Sequence, residues 1–171
     1  YKHQWHVVEA VSILRERGFP VLLDLIGPAY SPALKRLKSK MDILDPQGTW
    51  VHYHGAIAFA DLHRQYLEAD LGLFASSCEN MPNILLEMMA SGLPIASSNF
   101  GPMPDILGEI GEFFNPLDVG EIYDSLEELI NNREKRLMFG NINTQKASEF
   151  TWRRCADDTL DFLLDTQSNC N

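Results

Sequence analysis

Cysteine is scarce in this chain: Cys78, Cys155 and Cys170 are the only three in 171 residues, in neither CxxC nor CxH spacing. An odd count without paired spacing argues against a disulfide framework and against a zinc site, so all three are expected to be reduced thiols. Positive charge is short as well, with 14 Lys and Arg against 24 acids and a formal net charge of −10. That balance argues against general nucleic-acid binding and against electrostatic attachment to anionic lipid, while leaving room for a small anion in a local cationic pocket. No apolar run is long enough for a membrane span. The opening "YKHQWHVVEA" lacks the basic-then-apolar order of a secretory leader. Internal repeats, low-complexity tracts and an interdomain linker are also missing.

What is present is an ordinary globular composition, 45% hydrophobic and 22% charged, at a length that supports one domain with a substantial core. Short apolar runs alternate with amphipathic stretches. "VVEAVSILRERG" (Val7 to Gly18) has helical spacing and a glycine stop. "VLLDLIG" (Val21 to Gly27) is a short β-like run ending in Gly-Pro. "SPALKRLKSKMDIL" predicts a helix with Ser31 as its cap and Pro32 at the first helical position. "TWVHYHG" (Thr49 to Gly55) is the next strand and "ADLHRQYLEAD" a helix. "LGLFASS" (Leu71 to Ser77) and "LPIASS" (Leu93 to Ser98) are further strands, flanking a helix that starts near Pro82. "EFFNP" is a last short strand, and from Asp118 onward the pattern is helical. Strands alternating with helices of this length predict an α/β domain over residues 1–171, a Rossmann-like doubly wound parallel sheet flanked by helices. Tyr1 opens almost directly onto a helix. The expectation is therefore a sheet without its first strand, or a piece of something longer.

"SSCENMPNILLEMMASGLPI" (Ser76 to Ile95) carries the chemistry. Glu87 stands among Ile84, Leu85, Leu86, Met88, Met89 and Ala90, in a helix apolar on nearly every side and so expected to be buried. A buried carboxylate is costly unless something pairs with it. Glu79 stands eight positions upstream, in the loop before the helix. In open parallel sheets, ligands bind at the carboxyl ends of the strands. Proline at the first helical position leaves the N–H groups of Asn83 and Ile84 pointing out of the helix start, where the dipole favours a phosphate. Glu87 lies roughly 7 Å along the axis from Pro82 at about 1.5 Å per residue, so a phosphate at the helix mouth would be flanked by both acids. Carboxylates only accept hydrogen bonds, and sugar hydroxyls on either side of a phosphate would be the donors. From the residues alone, plainer readings stay open: Glu79 as an exposed loop acid, and Glu87 paired with a core Arg, His or Lys.

Glu79 to Glu87, "ENMPNILLE", followed by "MMASGLPI", resembles the E-x7-E motif of retaining glycosyltransferases of the GT-B fold. It is most similar to glycosyltransferase family 4 (group 1), which reads E-G-F-P-N-x-x-x-E-A-M-A-x-G-x-P-V. The departures are Asn80 and Met81 for Gly-Phe and Met88 for Ala. The resemblance covers essentially the whole chain as the C-terminal, donor-binding half of such an enzyme. "YKHQWHVVEAV" resembles the K-N-x-x-x-L-I-x-A segment, and "LLDLIGPAY" the strand-loop V-G-x-G with Gly27 retained. "VHYHGAI", "LEADLGLFASS", "SNFGPMPDIL" and "GEFFNPLDVGEIYDSL" resemble the segments that follow.

That resemblance implies roles. Glu79 and Lys2 would be the catalytic residues, Glu79 on hydroxyls of the transferred sugar and Lys2 neutralising the departing diphosphate. The amides of Asn83 and Ile84 would meet the diphosphate, Glu87 would accept the ribose hydroxyls, Gly27 would line the site and Ile57 would pack on the base. Without the family match, Lys2 reads as solvated surface, Ile57 as core and Gly27 as a turn. His3, His6, His52, His54 and His63 read as structural or exposed, and Phe59, Tyr66, Phe74 and Phe100 as core.

The implied activity is hexosyl transfer from a nucleotide-diphosphate sugar to a saccharide or glycolipid acceptor, with retention of the anomeric configuration. No cofactor is implied. The chain has no Asp-x-Asp tripeptide, the metal-chelating signature of the other large glycosyltransferase fold. The family's phosphate-binding arginine would lie a few residues before Lys2, ahead of this sequence, and the acceptor site would belong to an N-terminal domain absent here, so the chain alone is expected to be inactive. A cytoplasmic location is implied, with any contact with the inner membrane face made through that domain. Two other classes stay in play: a non-catalytic nucleotide-binding or regulatory α/β domain, and a sugar-nucleotide epimerase of the GT-B fold. A receiver-like regulatory domain would want its phosphorylatable Asp in a loop after a strand, whereas Asp24 sits inside "LLDLIG".

Overall fold

Val7, Val8, Ala10, Val11 and Leu14 recur at helical spacing and are buried in helix α1 (Gln4–Glu16). Burial of each of these valines and of Leu14 contributes about 1.5–3 kcal/mol, and of Ala10 less. The helix ends where Gly18 takes φ 92 and donates its N–H to Arg15 O at 3.0 Å, the left-handed stop that glycine allows. This computed structural model describes residues 1–169; Cys170 lies outside the described residues.

After α1 the elements are β1 (Leu23–Ile26), α2 (Ser31–Leu44), β2 (Val51–Gly55), α3 (Phe59–Glu68), β3 (Gly72–Phe74), α4 (Asn83–Ala90), β4 (Ile95–Ser98), α5 (Met103–Leu107), β5 (Gly111–Phe114), α6 (Val119–Asn131), α7 (Arg133–Ala147) and α8 (Trp152–Asn169). All strand pairs are parallel: β1 with β2, β3 with β4 and β4 with β5. Helices flank these sheets, as the alternating pattern predicts. The ladder differs from that prediction in one respect. It is two hydrogen-bonded sheets, β1-β2 and β3-β4-β5, with no pairing between them.

One core holds both sheets together. Leu25 and Val51 from the first sheet, Ala96 and Phe114 from the second, and Ala75 just past β3 share a cluster with α1 and α6. A second cluster, on Phe74 and Ile95, takes Leu85, Met88 and Met89 of α4, Met103, Ile106 and Leu107 of α5, and Tyr66 of α3. Helix α6 is started by Asp118, whose carboxylate accepts from Gly120 N (2.8 Å) and Glu121 N (3.2 Å). Helix α7 approaches the turn after α4 so closely that a β-carbon on Gly140 would overlap the Gly92 carbonyl oxygen. The described side chains of α8 are exposed, Trp152 and Phe162 among them.

Three local expectations are corrected. Ser31 is the first residue of α2 rather than its cap; Tyr30 occupies the cap position and no side chain caps the helix. Pro82 likewise caps α4 instead of opening it. Phe59 and Phe100 are exposed rather than core, because both stand in loop-to-helix stretches at the carboxyl edge of the sheets, where no helix covers them.

Candidate functional site

The loops leaving the carboxyl ends of the strands carry the predicted residues. Ser76 to Glu79 lead from β3 toward α4, and Ser77 N donates to Tyr1 O at 2.8 Å, which brings the start of the chain onto that loop. Lys2 follows, and its Nζ donates to Glu79 Oε1 in an ion pair. The ammonium also lies over the rings of Phe74 (5.1 Å) and Tyr1 (5.2 Å), a placement that favours a cation. Lys2 and Glu79, assigned to one site by the resemblance, are thus in contact. The side chains are 34% and 15% exposed, so the pair is only partly buried and a ligand can still compete for it.

Glu87 lies on α4 and is half-buried, not enclosed as the apolar sequence suggests. Leu85, Met88 and Met89 face the core, whereas Ile84 and Ala90 are exposed. Its partner is neither a base of the protein nor a core cation. Tyr66 of α3 donates its hydroxyl to Glu87 Oε2 at 3.1 Å. Burial first, and then the charge of Glu87 and this hydrogen bond, push the Tyr66 phenol well above its ordinary range, so it stays a donor at any working pH. One carboxylate oxygen is held and the other keeps its accepting capacity.

The helix mouth is half as open as expected. Asn83 N donates to Met81 O at 3.0 Å, because the chain turns tightly before Pro82 and consumes that amide. Ile84 N donates to no carbonyl of the preceding loop. Of the two amides predicted to face an anion, Asn83's is thus taken up within the loop and Ile84's is left at the helix start, where the dipole would favour an anion.

Gly27 and Ile57 follow β1 and β2. Gly27 has φ 124 and donates its N–H to Gly55 O at 2.8 Å, while Tyr53 donates its hydroxyl to Gly27 O at 2.9 Å. These bonds tie the two loops together, and Ile57, half-buried, is two residues past Gly55. No hydrogen bond or ion pair among the described residues links Gly27 or Ile57 to Lys2, Glu79 or Glu87.

Two contributors were not singled out by the sequence. Tyr66, taken as core, does pack its ring in the second cluster, and in addition donates its hydroxyl to Glu87; a tyrosine on the apolar face of α3 was the only signal. His3, one residue from Lys2, donates or accepts at Ser77 Oγ (2.8 Å), and adjacency to Lys2 was its signal. Asp24 sits inside β1 and pairs with His54 at 2.6 Å, both exposed. Among the described residues no group of three His, Cys, Asp or Glu is placed to hold a metal ion, and no helix is long and apolar enough to cross a membrane. Cys78 and Cys155 are free and exposed.

Comparison with known proteins adds the rest. The family model described as Glycosyl transferases group 1 matches residues 1–132. Sulfoquinovosyl transferase SQD2 of Arabidopsis thaliana is 30% identical over 106 residues, 59% of this chain and 21% of that protein. The MMP alpha-(1->4)-mannosyltransferase of Mycolicibacterium hassiacum is 29% identical over 160 residues, 91% of this chain and 38% of that one. The chain thus spans well under half the length of these curated relatives. The solved structure of Anabaena HepE in complex with UDP superposes with a TM-score of 0.81 at 18% identity, covering 97% of this chain and 46% of that one, a likeness of fold.

Proposed function

The chain belongs to the group 1 glycosyl transferases, and from that premise we propose that it is the C-terminal, donor-binding half of a retaining enzyme of glycosyltransferase family 4. The observation that carries this reading is the Lys2–Glu79 pair at the mouth of α4, with Glu87 farther along the same helix. The cation, the Ile84 amide and the helix dipole suit a diphosphate. The two acids suit hydroxyls, Glu79 on the transferred sugar and Glu87, steadied by Tyr66, on the ribose. Gly27 and Ile57 shape the base end. Support comes from the relatives named for sulfoquinovosyl and mannosyl transfer and from the fold neighbour solved with UDP.

In the proposed reaction a hexose-type sugar leaves a nucleoside diphosphate and joins a saccharide or glycolipid acceptor. Lys2 exchanges Glu79 for the diphosphate as the bond to the anomeric carbon breaks, so its charge meets the negative charge that develops on the leaving group. No metal is required by this scheme. The acceptor site, and any contact with the cytoplasmic face of a membrane, belong to a further N-terminal domain. The open edges of β1 and β3 are consistent with a parallel strand running into Tyr1 between them, since Ser77 already donates to Tyr1 O. The test is an assay of sugar transfer from UDP- and GDP-hexoses. Transfer should appear only when residues corresponding to the rest of the relatives' length are supplied. A full rate from these 171 residues alone would refute the division of labour.

A further inference from the structure

His3 is the one non-glycine among the described residues with a positive φ, 48°. That left-handed conformation costs any residue with a β-carbon and persists where its surroundings hold it. Here it turns the chain from Lys2 into α1, and His3 O accepts from His6 N (2.9 Å) and Val7 N (3.4 Å), closing the first turn. Resting on the donor-site reading above, we propose that His3 is a positioning residue: its left-handed backbone and its ring, fastened to Ser77, set Lys2 against Glu79.

The hydrogen-bond pattern assigns the tautomer. Ser77 Oγ has one proton and donates it to Tyr1 O at 3.4 Å, so it accepts from His3 Nε2–H at 2.8 Å. Ser77 N donates to the same Tyr1 carbonyl. Both neighbours of Lys2 are therefore tied to one serine of the β3–α4 loop, two residues from Glu79, and Lys2 moves only with that loop. His3 Nδ1 is buried with no partner. A proton there would find no acceptor; burial first, and then the neighbouring His6 and Arg36, hold His3 below the ordinary histidine range, and the ring stays neutral at neutral pH. The same ring stacks on His6 (5.6 Å between centroids, 10° between planes), which donates Nδ1–H to Pro116 O at 2.9 Å. The stack thereby fastens the loop after β5 to the same post.

The test separates backbone from ring. His3→Gly accepts the left-handed turn and removes the ring. His3→Asn also tolerates that region and keeps a short donor for Ser77. In His3→Gly, exchange of the Ser77 amide proton should quicken severalfold in the ligand-free protein, and affinity for UDP or GDP should fall about fivefold, the scale of one lost hydrogen bond. His3→Asn should restore most of both. Ser77→Ala should weaken nucleotide binding to the same degree and add little in the His3→Gly background. A Ser77 amide that exchanges in His3→Gly as slowly as in the parent overturns the proposal whether or not nucleotide binds. So does undiminished nucleotide affinity in a parent that binds. A parent that binds none of UDP, GDP and ADP overturns the donor-site reading instead, and the exchange measurement still decides the role of His3.

Discussion

Lys2 and Glu79, 77 residues apart in the chain, close an ion pair over the ring of Phe74. Because the same lysine is assigned to the diphosphate, the two partners should respond oppositely to mutation. Lys2→Ala should weaken binding of UDP or GDP about tenfold or more, the scale of a charge-assisted hydrogen bond. Glu79→Gln replaces the competing carboxylate with a neutral amide, so nucleotide affinity should hold or rise while sugar transfer in a longer active chain is lost. Isothermal titration of both variants checks the signs. Neither change should move the melting temperature much, since a partly exposed pair contributes about 0–1 kcal/mol.

Tyr66→Phe deletes one hydroxyl and leaves the ring packed in its cluster. Glu87 then loses its 3.1 Å donor. The expected stability loss is about 1 kcal/mol, measured by urea denaturation, with a parallel loss of nucleotide affinity because the carboxylate is no longer oriented. A loss of stability without any change in affinity would make the contact purely structural.

The contrast between these two pairs shows what the sequence could and could not convey. The Glu79-to-Glu87 spacing put both acids around one helix start, and the Ser31 to Leu44 pattern located α2 with its start misplaced by one residue, because helical periodicity and breakers are local signals. The hydroxyl on Glu87 comes from a residue 21 positions away on another helix, and no spacing rule reaches that far. The exposure of Glu87 also escaped, since an apolar helix says nothing of which side lacks a covering layer. The amide of Asn83 was lost to a turn set by the backbone path into Pro82. Helix α5 went unnoticed because five residues bounded by Pro102 and Gly108 are too short for periodicity to register.

Acid should reveal Asp45. Its carboxylate is buried, which alone would raise its pKa, but it accepts from Trp50 N (2.8 Å), Thr49 N (2.9 Å) and Val51 N (3.0 Å) and from the Thr49 hydroxyl (3.0 Å). These donors hold it down at about 2. A carboxylate depressed on folding adds stability that is present above its unfolded value and lost as pH falls through the folded one. The contribution is therefore intact above about pH 4 and disappears toward pH 2. Asp45→Asn should lower stability at pH 7 by about 1–3 kcal/mol and flatten the decline between pH 4 and pH 2, as followed by urea melts across that range.

Gly140→Ala should be far more damaging than its size suggests. The added methyl meets the Gly92 carbonyl, which is backbone and cannot rotate away. Forcing α7 off the turn after α4 should cost about 1–3 kcal/mol and lower the melting temperature. An unchanged melt would mean that the two elements are not packed as described.

The most direct measurement is a calorimetric titration of this chain with UDP, GDP and ADP, beside Glu87→Ala. The account predicts that one nucleoside diphosphate binds the parent and that the variant loses it, since the ribose hydroxyls would have no acceptor on α4. Equal binding by parent and variant would contradict it.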